Sequence, residues 1–229
     1  MLPAMARLPE VRRLVERGKY FVIHAPRQTG KTTAVGTLAR DLIEEGHYVS
    51  VLVSMEVGSA LLDDLGAAET AILGAWRSAA ERRLPASLLP PSWPAAPPGQ
   101  RINAALQAWA KASPRPLVLF LDEIDALQGV VLVSVLRQIR DGFQDRPASF
   151  PWSIALVGMR DVRDYEIALD GRDGTASASP FNIKDRSLLL RDFTRDEVAA
   201  LYAQHTDHTG QPFVREAVDR AFTLTQGQP

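Results

Sequence analysis

The chain has 229 residues, the length of one large domain or one and a half, and 46% of them are apolar, which supports a packed core and excludes whole-chain disorder. Twenty-six Lys and Arg against 27 Asp and Glu leave a net charge of -1, so no global field draws in nucleic acid or an acidic membrane. The absence of cysteine excludes disulfide scaffolds, thiolate zinc sites, iron–sulfur clusters and cysteine nucleophiles; with no apolar run near the roughly 18 residues of a membrane span, the expected setting is cytoplasmic with no membrane partner.

Leu8, Val11, Leu14 and Val15 recur at helical spacing within residues 4–17, and Gly18 ends that helix. Tyr20 to Ala25 (YFVIHA) reads as a buried strand. Ala34, Val35, Leu38, Ala39, Leu42 and Ile43 form one helix face ending at Gly46, and Tyr48 to Met55 (YVSVLVSM) is a second buried strand. Strand, loop, helix, strand in that order predicts a parallel crossover unit. Residues 60–84 read as helical. Six prolines between Pro85 and Pro98 then mark an extended insertion at about 85–99, whose Trp93 either docks on the body or serves a partner.

A helix from Arg101 to Lys111 precedes Leu117 to Leu121 (LVLFL), a central strand running into Asp122 and Glu123. Leu132, Val135, Leu136, Ile139 and Phe143 make the next helix face, and Ser153 to Met159 is a fourth strand. Residues 170–180 form a polar, Gly-rich loop, and Arg186 to Phe193 is read as the fifth strand. Thr194 and Glu197 then spell a capping box, with Phe193 and Val198 as its hydrophobic staple. Helices from Arg195 to about His205 and along Val214, Ala217, Val218, Ala221 and Leu224 follow; the closing TQGQP leads to the expectation that the chain continues in a longer protein.

Between the first strand and helix lies Ala25-Pro26-Arg27-Gln28-Thr29-Gly30-Lys31-Thr32-Thr33. It fits the phosphate-loop pattern G-x-x-x-x-G-K-[ST] at Gly30, Lys31 and Thr32, with Ala25 in the first glycine's place. Gly30 admits close backbone approach, Lys31 offers a point charge to β and γ phosphates, and the Thr32 hydroxyl is a ligand for Mg²⁺. An alanine costs little at position 25 if its φ is negative. Asp122 and Glu123 leave the central strand at its carboxyl end, the edge where ligands of open α/β sheets collect. There Asp122 supports the metal and Glu123 polarises an attacking water; alone, the pair reads equally well as a helix cap. Arg160, after the fourth strand, is placed to sense a γ-phosphate or to pair with Asp161 or Asp164 on the surface.

These segments resemble the AAA-like branch of the P-loop ATPases, near the AAA+ and STAND ATPases and the archaeal origin-binding ATPases. APRQTGKTT looks like Walker A, LVLFLDEID like Walker B, and VGMRD like the sensor-1 strand. YFVIHAPRQTGKTT, RDVRDY, SPFNIKDRSLLL and FTRDEVAALY together look like a bacterial group of AAA-like proteins of unassigned role. The resemblance implies a three-layer αβα sandwich around a parallel five-stranded sheet in the order 5-1-4-3-2. It also implies a core over 1–193, a helical lid begun in 194–229, and ATP with Mg²⁺ as ligands. Gly227-Gln228-Pro229 is similar to the turn with which such lids approach the base, placing Pro229 at the nucleotide. By position alone, Arg137, Arg140 and Arg146 are candidates for an arginine finger reaching a neighbouring copy, so a homo-oligomer is a possible partner state.

Other constellations carry less. His205 and His208 lack a third ligand and suit a helix C-terminus, and His24 reads as a strand residue near the loop. Arg82, Arg83 and Arg101 lack interleaved aromatics, so nucleic acid gains no specific support. The expectation is Mg-dependent ATP hydrolysis that moves the helical segment after Phe193. Its rivals are a nucleotide-gated switch recruiting a protein client through a C-terminal domain or the proline loop, and a DNA-associated loader.

Overall fold

Four short strands are mostly apolar, β1 (Tyr20–His24), β2 (Val49–Ser54), β3 (Leu117–Asp122) and β4 (Ser153–Gly158), and a fifth, β5 (Lys184–Leu189), is polar in its first half and more exposed. The first four are buried on both faces, as a parallel sheet covered by crossover helices requires. The computed structural model describes residues 7–160 and 183–228. Every strand pairing is parallel, and the order β2-β3-β4-β1-β5 is the expected 5-1-4-3-2 read from the other edge.

Alternation along the strands divides the core into two layers. Tyr20, Val22, Leu119, Leu121, Ile154 and Leu156 face one side, where α3 (Leu65–Arg83), α4 (Arg101–Ala112) and α5 (Gly129–Asp141) bring Trp76, Trp109 and Leu136. Phe21, Ile23, Val118, Phe120, Ala155 and Val157 face the other, covered by α1 (Pro9–Glu16) and α2 (Lys31–Glu44). The result is an αβα sandwich whose strand ends carry Asp122, Gly158 and the Ala25–Thr33 loop on one edge.

Four boundaries differ from expectation for local reasons. The first helix starts at Pro9, whose ring suits the first helical position. The stretch 60–84 divides into a 3₁₀ turn, Glu56–Leu61, and α3, because the Asp64 carboxylate caps α3 by accepting from the Ala67 N–H at 2.9 Å. β5 ends at Leu189 rather than Phe193, and residues 190–193 lead into α6 (Arg195–Thr209). That helix runs past His205 to Gly210, where φ is +75°. α7 (Arg215–Thr225) pairs with α6, Arg195 donating to the Asp219 carboxylate at 2.8 Å, and Tyr202 of α6 meets Phe213, just before α7, edge-to-face at 4.8 Å. The predicted capping box is present, Thr194 accepting from the Glu197 N–H and Glu197 from the Thr194 N–H. The 170–180 loop lies outside the described residues.

The proline insertion is pinned to the body. Trp93 donates from Nε1 to the Leu73 carbonyl at 3.0 Å and packs 5.8 Å from Trp109, while the Arg77 guanidinium lies 4.9 Å from its ring. Arg77 also bonds the carbonyls of Pro90 and Pro91. Behind it the fully buried Glu69 accepts from the Gly99 N–H at 2.9 Å and from the Gln138 amide at 2.6 Å. Trp93 therefore docks.

Candidate nucleotide-binding site

The Ala25–Thr33 loop begins as a continuation of β1, the Ala25 N–H donating to the Gly158 carbonyl at 3.2 Å. Ala25 is wholly buried and does not adopt a positive φ, so its methyl group packs in the core where the consensus glycine would leave a gap. The turn comes later, at Gln28 (φ +61°) and Gly30 (φ +83°), the latter a conformation that favours glycine. Thr29, 1% exposed, closes the turn by donating to the Pro26 carbonyl at 3.0 Å. α2 then starts at Lys31 with no side-chain cap and no acidic residue in its first turn, leaving N–H donors and the positive end of the helix dipole for an anion.

Lys31 Nζ donates to the carbonyls of Ala25 at 2.7 Å and Pro26 at 2.6 Å, and burial pushes its pKa down while Asp122 and Asp125 push it up. Thr32 Oγ1 donates to Asp122 Oδ2 at 2.7 Å, joining the loop to β3. Asp122 is 5% exposed, and burial raises its carboxyl pKa against the opposing pull of Thr32, the Glu123 N–H and Lys31. A hydroxyl and a carboxylate in contact form the oxygen-only set that suits Mg²⁺, an ion held by one or two carboxylates together with phosphates. The described residues contain no cluster of three or more His, Cys, Asp or Glu able to cage a metal by themselves.

Glu123 has φ +60°, outside the ordinary range for its type, and its carboxylate accepts from Ser54 Oγ at 2.6 Å. Ser54 also accepts from the Glu56 N–H at 3.1 Å. The β2–β3 register sets Ser54 opposite Asp122, which explains why a serine 69 positions away reaches Glu123. Sequence reading missed Ser54; its signal was a hydroxyl ending an apolar strand, interpretable only once β2 is known to lie beside β3. Asp125 was missed likewise, and accepts from the Met159 N–H at 3.2 Å. Arg27 reaches the Met159 sulfur at 3.3 Å, so the end of β4 borders the loop, and Arg160 stands exposed just beyond it. Asp161, Asp164 and Pro229 lie outside the described residues.

The profile of the AAA ATPase domain family matches residues 6–147, the stretch holding the loop and both carboxylates. The chain belongs to the AAA ATPase domain family. As an AAA ATPase domain it is similar in fold to the Walker-type ATPase PABY2304 of Pyrococcus abyssi (12% identity, TM-score 0.64, 100% of this chain and 65% of that one). It is also similar to the FIGL-1 AAA domain in complex with ADP (16%, 0.53, 97% and 63%) and to the Aeropyrum pernix ORC1 protein in complex with DNA (14%, 0.51, 91% and 50%). The chain spans about half to two thirds of the length of these structures. No curated protein matches its sequence.

Of the three arginines singled out after β3, Arg146 serves the AAA ATPase domain structurally. Its guanidinium lies 3.6 Å from the Phe143 ring centre and 4.8 Å from that of Tyr20, and bonds the Gly18 carbonyl before β1, at the sheet edge opposite Thr32. Arg137 is exposed on α5. His205 and His208 lie in α6, where His208 Nδ1 contacts the Gln204 carbonyl at 2.8 Å. No helix among the described residues is long and apolar enough to cross a membrane.

Proposed function

We propose that this domain binds Mg·ATP and hydrolyses it to ADP and phosphate. The Thr32–Asp122 contact at 2.7 Å carries the reading, because it brings the two oxygen donors of the phosphate-loop and strand-end motifs to one point beside Lys31. Backbone N–H groups of Gly30, Lys31, Thr32 and Thr33, within the 25–33 loop, cradle the phosphates, and Lys31 leaves its loop carbonyls to balance β and γ charge. Thr32 and Asp122 hold Mg²⁺, which when bound withdraws charge from the phosphate oxygens. Glu123 accepts a proton from water as that water attacks the γ-phosphorus, while the bond to the β-phosphate oxygen breaks and ADP leaves. Arg160 and, beyond the described residues, Pro229 are assigned to the γ-phosphate and the base. ATP is preferred over GTP because the chain carries no N-K-x-D guanine motif. α6 and α7 act as a lid that moves with nucleotide state.

One observation favours a second reading, a switch that retains ATP with little turnover: Ser54 holds the Glu123 carboxylate at 2.6 Å. A DNA-associated loader rests on likeness of fold alone.

Phosphate release by the wild type and by Glu123→Gln, each with Mg²⁺ and with EDTA, separates the readings. Release that needs Mg²⁺ and disappears in Glu123→Gln while ATP binding persists supports hydrolysis through Glu123. ATP retained by both proteins without release supports the switch, and no ATP binding overturns both.

A further inference from the structure

Arginine is seldom buried, yet Arg7, just before α1, is 6% exposed; the charges of Asp192 and Glu197 lie near it, but its hydrogen bonds go to main-chain carbonyls. Its Nη1 donates to Thr29 at 3.0 Å, in the phosphate loop. Nε and Nη2 donate to Arg191 at 2.8 and 2.6 Å, in the linker between β5 and α6. The guanidinium carbon lies 4.1 Å from the centre of the Phe193 ring in the same linker. Phe193 in turn is fastened to the far end of the helical pair. Its N–H donates to the Gly227 carbonyl at 2.9 Å, and Gly227 lies so close that a Cβ there would fall 1.9 Å from the Phe193 oxygen. One side chain thus joins the phosphate loop to the segment on which α6 and α7 are hung.

The carbonyl that Arg7 holds is not an arbitrary one. Thr29 C=O and Gly30 N–H belong to one planar trans peptide and point in opposite directions. Fixing the carbonyl therefore fixes the direction of the Gly30 N–H, one of the donors assigned to the phosphates. We propose that Arg7 is a positioning residue that sets the Thr29–Gly30 peptide for phosphate binding and couples its setting to the 190–193 linker, so that the helical pair follows the state of the loop. The inference rests on the nucleotide-binding reading above. Its physical basis is that a buried guanidinium cannot release either carbonyl without leaving charged donors dry, and that its planar fork transmits a displacement that a flexible ammonium would absorb.

The chain contains no cysteine, so Glu81→Cys on α3 and Asp207→Cys on α6, both exposed, accept a donor–acceptor dye pair. Energy transfer and ATP binding by equilibrium dialysis are then followed together as Mg·ATP is titrated. In the parent, ATP changes the transfer. Arg7→Ala weakens ATP binding by about tenfold, the effect of losing a charged hydrogen bond, and at saturating ATP its transfer stays at the ATP-free value. Arg7→Lys keeps the charge and regains part of the affinity, but its transfer does not respond. Phe193→Leu leaves the Thr29 bond in place and serves where Arg7→Ala fails to fold. It binds ATP within about twofold of the parent and loses the response. Parental transfer changes in Arg7→Ala or Phe193→Leu overturn the coupling, as does a parent that binds ATP without any change in transfer. A parent that binds no ATP overturns the nucleotide-binding reading itself.

Discussion

Ser54 and Glu123 pose the sharpest question at the scale of single residues. A hydroxyl 2.6 Å from a carboxylate stabilises the position it holds, and Glu123 takes an unfavourable φ of +60° there. If that carboxylate must turn toward water to work, the bond opposes turnover. Ser54→Ala is expected to raise the rate of phosphate release by about 2- to 10-fold at saturating ATP, from the roughly 0.5–1.5 kcal/mol of one hydrogen bond, with KM little changed. A fall in rate shows instead that Ser54 orients Glu123 for the reaction. Asp122 yields a prediction of opposite character. Burial raises its folded pKa above the ordinary 3.8, so the folded state holds this proton more tightly than the unfolded chain. The group therefore favours folding below that ordinary value, and the contribution is lost as pH rises through the folded pKa. Asp122→Asn removes the ionisation, so melting curves from pH 3.5 to 7 should show the variant gaining on the wild type as pH rises. An unchanged difference across that range shows that Asp122 does not titrate differently on folding.

Among the elements, the proline insertion is the piece whose role is readable from its anchors. Trp93 supplies one indole N–H bond, a guanidinium contact and an aromatic neighbour. Trp93→Ala should cost about 2 kcal/mol, below the roughly 3–5 kcal/mol of a fully buried large aromatic because the ring is only partly buried. Limited proteolysis should then cut within 85–99 while ATP affinity is unchanged, since the insertion packs on α3 and α4, away from the 25–33 loop. Cleavage no faster than in the wild type makes Arg77 and Glu69 the anchors that matter. Elements of this kind were legible in sequence as far as local patterns reach. Apolar runs marked the strands, the GKT triplet marked the loop, and Thr194 with Glu197 marked the start of α6. The Asp64 cap that separates the 3₁₀ turn from α3 was overlooked because an apolar pattern spans both. Ser54 against Glu123 and Arg7 against Thr29 were beyond reach, because each depends on which strands and linkers become neighbours, and periodicity carries no strand order.

At the scale of the whole molecule, the sandwich and the helical pair differ in how they are held. The sheet has a buried layer on each face, whereas Val198 is the buried residue of α6, and α7 has none among the described residues. Leu224 is 73% exposed and Val214 67%. The pair is consequently tied at its ends: by the capping box and the Arg191–Glu197 ion pair at the start of α6, and by Gly227 against Phe193 after α7. Gly227 has φ +83°, and any side chain there meets the Phe193 backbone, whose atoms cannot step aside as a rotamer can. Gly227→Ala should release this tie while leaving the sandwich intact, at a cost above the roughly 1 kcal/mol of a left-handed alanine. Hydrogen exchange should accelerate through residues 195–226 and remain slow in β1, β3 and β4. If exchange accelerates in the strands as well, the helical pair is an integral part of the folding unit, and a lid hinged at 190–193 is the wrong description. If it accelerates in neither, the segment around residue 227 repacks about the methyl group, and the capping box with the Arg191–Glu197 and Arg195–Asp219 ion pairs suffices to hold α6 and α7 in place.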